Sequence, residues 1–576
     1  MSDTTFPAFA SVRRLPNLLD IAAMIVIAAG IIALATSARH TFGPLDAPEA
    51  TVIHLDPSYL PAYALRTTLR MFAALACSLL FTFTYATWAA KSRRAGLLLV
   101  PLLDILQSVP ILGFLSFTVV FFMSLFPGRV LGAEVAVIFA IFTSQAWNMA
   151  FSLYQSLTTL PADLDEACRG FRLSTWQRFW RLEVPFAMPG LVWNTMLSLS
   201  GGWFMVVASE AISVGNTTFK LPGIGSYVAT ALDERDIRAV GYAILAMLVV
   251  ILAYDQLLFR PLVAWSAKFR VETTQGATAK DPWVLALLRR TQFLRWCVDR
   301  FGDLFNAVSG LRLSLGLRPR TRRPPSRARS RALDTAWVAG LLAVVALAMW
   351  QIVAFCAGTL SLADVGTALL LGCYTLARVL ILIVLASLLW LPVGVWLGLR
   401  PVWARRAQPV VQFLAAFPAN LFFPIFVVAI VHFSLNPQIW LTPLMILGTQ
   451  WYILFNVIAG AAAFPGDLQE VSANFRVGGL LWWRRVILPG IFPYFVTGLI
   501  TASGGAWNAA IVSEVASWGD TKLHASGLGS YIADATAAGN TPRVVLGVVV
   551  MSGFVVLCNR FAWRPLYTYS TRRLTL

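Results

Sequence analysis

Apolar positions in this chain gather into long, nearly unbroken runs, not the strict alternation of a half-buried strand. In the first half they lie near residues 18–38, 67–90, 96–124, 131–155, 190–212 and 239–259. In the second they lie near 335–357, 367–399, 408–432, 440–460, 493–514 and 543–560. A helix needs about 20 such residues to cross a bilayer. Lipid offers no partner to an open backbone, so helices are the expected spanning element. The short alternating segments of a membrane β-barrel are absent. The pattern predicts an all-α integral membrane protein with twelve spanning helices.

The polar stretches between runs set the expected orientation. Arg13 and Arg14, the turn at Lys91, Arg93 and Arg94, the loop from Arg169 to Arg181, and the segment 260–333 all fall on one side if every run spans. So do Arg400, Arg405 and Arg406, the loop from Arg476 to Arg485, and the tail from Arg560. Basic loops stay in the cytoplasm, which places both termini there. Arg13 and Arg14 before an apolar stretch also have the form of a signal peptide. The second half opens in the same way where nothing can be cleaved, so a retained first helix is expected.

Composition agrees. Of 576 residues, 58% are hydrophobic and 12% charged, against about 25% charged in soluble domains. Mean hydropathy is +0.71. The net charge of +18 lies between the apolar runs, as cytoplasmic loops require, so nucleic-acid binding is not expected. The six cysteines form no CxxC pair and the four histidines have no ligand spacing, so neither a disulfide framework nor a metal site follows. Residues 266–333 break the pattern. Trp283 to Leu315 mixes apolar residues with Arg289, Arg290, Arg295 and Arg300, which suits an interfacial amphipathic helix. The arginine-rich, proline-containing end of the segment suits anionic membrane lipid. A plain tether is the alternative. The expected domains are 1–265, 266–333 and 334–576.

The two halves repeat one another. Trp147/Trp451, Pro161/Pro465, Asp163/Asp467, Glu166/Glu470, Phe171/Phe475, Arg172/Arg476, Arg181/Arg485, Pro185/Pro489, Pro189/Pro493, Trp203/Trp507 and Glu210/Glu514 share an offset of 304. Gly223 and Tyr227 match Gly527 and Tyr531 at the same offset. Upstream, Arg70/Arg378, Pro101/Pro409 and Pro110/Pro418 share an offset of 308. Six helices per copy is an even number. The copies are therefore expected in parallel orientation about an axis along the membrane normal.

Each copy carries a polar loop between its fourth and fifth runs. In the first, Pro161 suits a helix start, and Asp163, Asp165 and Glu166 suit its N-terminal dipole. Leu164, Cys168 and Phe171 form an apolar stripe. Ser174 and Gln177 have capping-box spacing, and Pro185 and Pro189 are expected to turn the chain toward the next span. Two short helices across the membrane surface make a docking element without a catalytic set. The two loops resemble the EAA motif of permease subunits of binding-protein-dependent ABC importers of the type I fold. Glu166, Ala167 and Cys168, with Glu470, Val471 and Ser472, stand at the motif; the family's glycine falls at Arg172 and Arg476. The resemblance covers nearly all of both halves and is strongest toward the nitrate, sulfonate and taurine branch. It implies that Glu166, Ala167, Arg169, Phe171 and Arg172, with Glu470, Val471, Phe475 and Arg476, couple to two separate ATPase subunits. It also implies a periplasmic substrate-binding protein, the bacterial inner membrane, and alternating access. The imported solute would be a small anion or zwitterion such as nitrate, a sulfonate, taurine or bicarbonate. No phosphate-cradling Gly-x-x-x-x-Gly-Lys-[Ser/Thr] is present, so ATP and magnesium are expected on the partner and no cofactor on this chain. A transport subunit, not an enzyme, follows. The alternative is a secondary transporter with two parallel six-helix repeats, for which the paired docking loops have no use.

Polar residues inside spans default to functional roles. Arg70 and Arg378 would attract an anion, or snorkel to headgroups. Glu210 and Glu514 would repel an anion, so an ion pair with Arg70 or Arg378 is their first reading. Gln145, Trp147, Gln450 and Trp451 would line a cavity or pack helices. Gly201-Gly202 and Gly504-Gly505 are expected to break the fifth helices, as hinges or close-packing points.

Overall fold

The computed structural model describes residues 20–21, 24–25, 52–108, 111–214, 217–269, 283–284, 290–311, 327–518 and 521–573. Most of the expected first span, 18–38, lies outside these residues, as does the linker stretch 312–326.

Eight helices among the described residues are long and apolar enough to cross a membrane. Two bent pairs, each read as one span, bring the number to ten. The twelve expected runs take a particular form at three places. Within the run 96–124 the described helices are Arg93–Ser108 and Ile111–Leu125. The run 408–432 bends by 75° between Val402–Ala416 and Ala419–His432. Pro418 sits at this bend and holds Phe417 in an extended conformation, as a residue before proline prefers. The run 440–460 bends by 42° between Pro437–Leu447 and Gln450–Ala462.

The duplication is visible element by element. Short helices Ala162–Gly170 and Gly466–Asn474 are followed by turns Thr175–Arg178 and Gly479–Trp482. Wide helical turns Phe179–Glu183 and Trp483–Ile487 then lead into the fifth helices, Val184–Ser209 and Leu488–Ser513. These wide turns correct one expectation. Pro185 and Pro489 lie in the first turn of the fifth helices, and Pro189 and Pro493 lie inside them. The prolines thus end no helix. Beyond each fifth helix stands an antiparallel hairpin that the all-α reading omits: Ala211–Val214 with Thr217–Lys220, and Val515–Trp518 with Thr521–His524.

Among the described residues the chain packs as two units. One holds 160–189 and 256–320, which are the first surface loop and the linker. Its linker helix, Gln292–Gly310, has the expected amphipathic form, with Trp296, Val298 and Leu304 exposed. The other unit holds 40–159, 190–255 and 321–576, and so contains both helix bundles. Its largest described core surrounds Trp507, Ile491, Ile453 and Trp563. The two repeats meet where Trp193 stacks on Phe455 at 5.1 Å, and where Leu454 and Ile458 pack with Leu197.

The glycine pairs act differently from a break. Both fifth helices are continuous through them. A Cβ on Gly202 would lie 2.5 Å from Gln145 Nε2, and one on Gly505 2.3 Å from Thr449 Cγ2. These two are close-packing points, whereas Gly201 and Gly504 line open space.

Candidate functional site

Two buried polar clusters close the start of the second span in each repeat. In the first, Arg70 donates Nε and Nη2 to the two oxygens of Glu134, both at 2.7 Å. Its Nη1 donates to Glu210 Oε1 at 2.6 Å and to the Pro222 carbonyl at 3.0 Å. Glu210 Oε1 also accepts from the Thr67 hydroxyl, and Oε2 from the Gly225 amide. Thr67 in turn accepts from the Ile224 amide. The carboxylate therefore fixes the start of the helix Ile224–Asp233. Only glycine fits beside it: a Cβ on Gly223 would fall 2.3 Å from the Glu210 carboxyl carbon. This helix is tied down further by Tyr227, which donates to the Leu55 carbonyl; burial pushes its phenol up to about 12, so it stays protonated.

The second repeat rebuilds the same lock. Glu514 accepts from Thr375 at 2.8 Å, from Arg378 at 3.3 Å and from the Ser530 amide at 3.1 Å. The Leu528 amide donates to Thr375. The ion-pair reading of Glu210 and Glu514 thus matches the contacts seen. One partner differs. Gln438 replaces Glu134 beside Arg378, and Tyr374 stands where the first repeat has Arg66, whose charge interacts with Glu134. An acid and a base are absent together, so both clusters stay neutral. Glu134 is a member of the first cluster that the sequence reading missed. An isolated acid inside an apolar run was the available signal.

Between the repeats lies a cavity of about 220 Å³. Its polar lining comes from Gln107, Thr143, Ser144, Asn148, Ser198, Ser200, Thr449, Tyr452, Thr501 and Asn508; Trp147, Phe204 and Phe417 add aromatic surface. No acidic or basic side chain is among its described lining residues. Tyr452 donates across the repeat boundary to Ser200 Oγ at 2.6 Å, and Ser200 donates to the Ala415 carbonyl. Ser198 Oγ and Thr449 Oγ1 have no hydrogen-bond partner among the described residues. Equivalent positions differ between the copies: Asn148 faces the role of Tyr452, Leu197 that of Thr501, and Phe204 that of Asn508. The cavity is therefore asymmetric although its frame is duplicated.

Of the eight residues expected along a pathway, Trp147 lines this cavity. Gln145 lies buried beside it, donating to Met71 Sδ and accepting from Ser78. Gln450 accepts from the Trp390 indole, and Trp451 packs on Trp390 at 5.0 Å. Arg70, Glu210, Arg378 and Glu514 belong to the buried clusters. Sequence reasoning missed the hydroxyl and amide lining, because serine and threonine are unremarkable in spanning helices.

The surface loops present matched features. Glu166, Ala167, Phe171 and Arg172 are exposed, as are Glu470, Val471, Phe475 and Arg476. The side chain of Arg169 lies outside the described residues. Phe171 and Phe475 are 79% and 78% exposed, so Phe171 leaves the inward stripe that its spacing suggested. The capping box forms: Gln177 N donates to Ser174 Oγ at 3.2 Å, and Ser174 N to Gln177 Oε1 at 3.1 Å. Arg172 and Arg476 adopt left-handed backbone with φ of 51° and 50°. Both turns close by an amide bonding five residues back, Leu173 to Cys168 and Val477 to Ser472. The turn that favours glycine is thus retained with arginine in it. Arg172→Gly and Arg476→Gly should each stabilise the purified chain by roughly 0.5–1 kcal/mol, because the left-handed conformation penalises a Cβ. Thermal unfolding checks this; a lowered midpoint would show that the arginine side chains hold the turns.

The comparisons with known proteins agree with this architecture. The family described as binding-protein-dependent transport system inner membrane component matches twice, at residues 82–259 and 391–574. The chain belongs to this family, as a tandem copy of a multi-pass transport component rather than an enzyme. Among its relatives is the bicarbonate transport system permease protein CmpB of Synechococcus elongatus, 29% identical over 180 residues, which cover 31% of this chain and 62% of the relative. The nitrate import permease protein NrtB of Leptolyngbya laminosa is 25% identical over 185 residues, 32% of this chain and 63% of the relative. The glycine betaine/proline betaine permease protein ProW of Escherichia coli is 29% identical over 190 residues, 32% and 49% respectively. Each match spans less than two thirds of the relative's length.

Proposed function

We propose that this chain forms the membrane-spanning core of an ATP-driven importer, moving a small anion or zwitterion through the cavity between its repeats by alternating access. The observation that carries the reading is the cavity itself. Both repeats build it, its described lining residues carry no charge, and hydroxyls and amides converge on it. A neutral, hydrogen-bonding lining can hold a monoanion or zwitterion in transit without trapping it, as a buried counter-ion would. The names of the relatives, bicarbonate, nitrate and betaine permeases, support the same solute size and charge.

In this reading the exposed loops at Glu166–Arg172 and Glu470–Arg476 dock two ATPase subunits, which bind ATP and magnesium. A periplasmic binding protein delivers solute on the opposite face. Both termini lie in the cytoplasm of the bacterial cell, beneath its inner membrane. The locked helices Ile224–Asp233 and Leu528–Ala537 give each repeat a rigid end, so motion of a loop is passed to the cavity instead of being absorbed. The test is uptake of nitrate, bicarbonate and glycine betaine by proteoliposomes holding the chain, its ATPase and its binding protein. The reading expects uptake of one of these to require internal or external ATP on the ATPase side. Uptake driven by an ion gradient without ATP would overturn it.

A further inference from the structure

The linker does more than join the repeats. Its helix Gln292–Gly310 ends against the first surface loop. The Trp176 indole donates to the Val308 carbonyl at 2.8 Å, and the Gln177 amide to the Gly310 carbonyl at 2.9 Å. Carbonyls at a helix C-terminus lack intrahelical partners, so the loop caps the linker helix in trans. Trp180 meets Phe305 edge-on at 5.5 Å, and the Arg181 guanidinium lies over Gly310. Gln177 takes part twice, since its carbonyl oxygen closes the capping box with Ser174.

The second loop keeps Arg485 in the place of Arg181 but lacks the other groups. At the offset of 304, Trp176 and Gln177 become Leu480 and Leu481, and Trp180 becomes Arg484. Leucine cannot donate to a carbonyl, and Leu480 and Leu481 are 83% and 57% exposed. Inside the first loop, Arg178 pairs with Asp165 and Glu183, where the second loop has Trp482, Gln469 and Ile487. One loop is held by polar contacts to the linker; the other presents bare apolar side chains.

We infer that the linker helix is a one-sided clamp on the first loop, which makes the two docking elements of this duplicated chain mechanically unequal. The clamp stands on the contacts above; its consequence for ATPase docking rests on the function proposed for the loops. A partner meets a braced first loop and a freer, more apolar second one. The linker helix moves with the first loop, so whatever restrains or releases that helix acts on one side of the importer alone.

Hydrogen exchange of the full chain in nanodiscs, without any ATPase, tests the clamp. In the parent, amides of 174–181 should exchange about tenfold more slowly than those of 478–485, the factor that the net worth of one to two hydrogen bonds corresponds to. Trp176→Leu with Gln177→Leu gives the first loop the residues that the second loop folds with. It should abolish the difference and raise exchange in the C-terminal turns of 292–310. Trp176→Phe, which keeps the ring and removes the donor, should give part of the effect, and Phe305→Ala should act from the helix side. Equal exchange of the two loops in the parent, or a difference that survives the double substitution, would overturn the clamp. Because no ATPase is present, failure here is separate from failure of the docking reading, which would show as a chain that binds no ATPase at all.

Discussion

Replacing Arg70 by methionine should cost about 3–5 kcal/mol of stability, the range for removing one partner from a buried ion pair. Among the described residues, the guanidinium is the only group that donates to Glu134 and Glu210 together. Without it, two buried carboxylates lose their shared counter-ion, and one must take up a proton or draw in water. Arg378→Met should cost less. Its neighbour Gln438 is neutral, and its bond to Glu514 is long at 3.3 Å. Adding Glu134→Gln to Arg70→Met removes one orphaned charge and copies the glutamine of the second repeat, so it should recover part of the loss. Unfolding of the purified chain in nanodiscs, followed by tryptophan fluorescence, measures all three. Equal losses for Arg70→Met and Arg378→Met would contradict the claim that the two locks differ in charge.

Asn508→Asp is expected to cut anion uptake at least tenfold while leaving folding and ATPase binding near those of the parent. The substitution is nearly isosteric and places a carboxylate on the wall of a cavity that holds no other charge among its described lining residues. At about 4 Å and an effective dielectric near 20, repulsion of a monoanion amounts to about 4 kcal/mol, and hydration of the cavity reduces it. A zwitterion carries no net charge and should suffer much less. Uptake of nitrate, bicarbonate and betaine by the same proteoliposomes therefore reports the charge class of the solute. Unchanged uptake of an anion would mean that it does not pass this cavity.

Much of this architecture was legible as pattern. Apolar runs located the spans because lipid forces backbone bonds inside each segment, and a constant offset exposed the duplication. Glu210 and Glu514 were recognisable as paired because an unpaired carboxylate has no stable place there. What stayed hidden depended on geometry that no spacing encodes. The bend at Pro418 is set by how the helix packs after the break, and hydropathy averages over it. The hairpins beyond Glu210 and Glu514 are too short to leave a period. The wide turns at Phe179–Glu183 and Trp483–Ile487 carry Pro185 and Pro489 into the fifth helices, where proline alone suggested a turn before them. Cavity residues such as Ser198 and Thr501 became visible only once the helices were brought together. The linker offered an interfacial helix or a tether in the sequence; the bonds from Trp176 and Gln177 to its helix are contacts that neither reading foresaw.

The most direct test of the importer is the ATPase activity of the purified chain with its ATPase partner in nanodiscs, with and without solute-loaded binding protein. The parent is compared with the double substitution Glu166→Arg and Glu470→Arg, which reverses one exposed charge on each loop. The account predicts that loaded binding protein stimulates hydrolysis in the parent, and that the double variant loses assembly or stimulation while remaining folded. Full stimulation in the double variant, or transport into liposomes with no ATPase present, would contradict it.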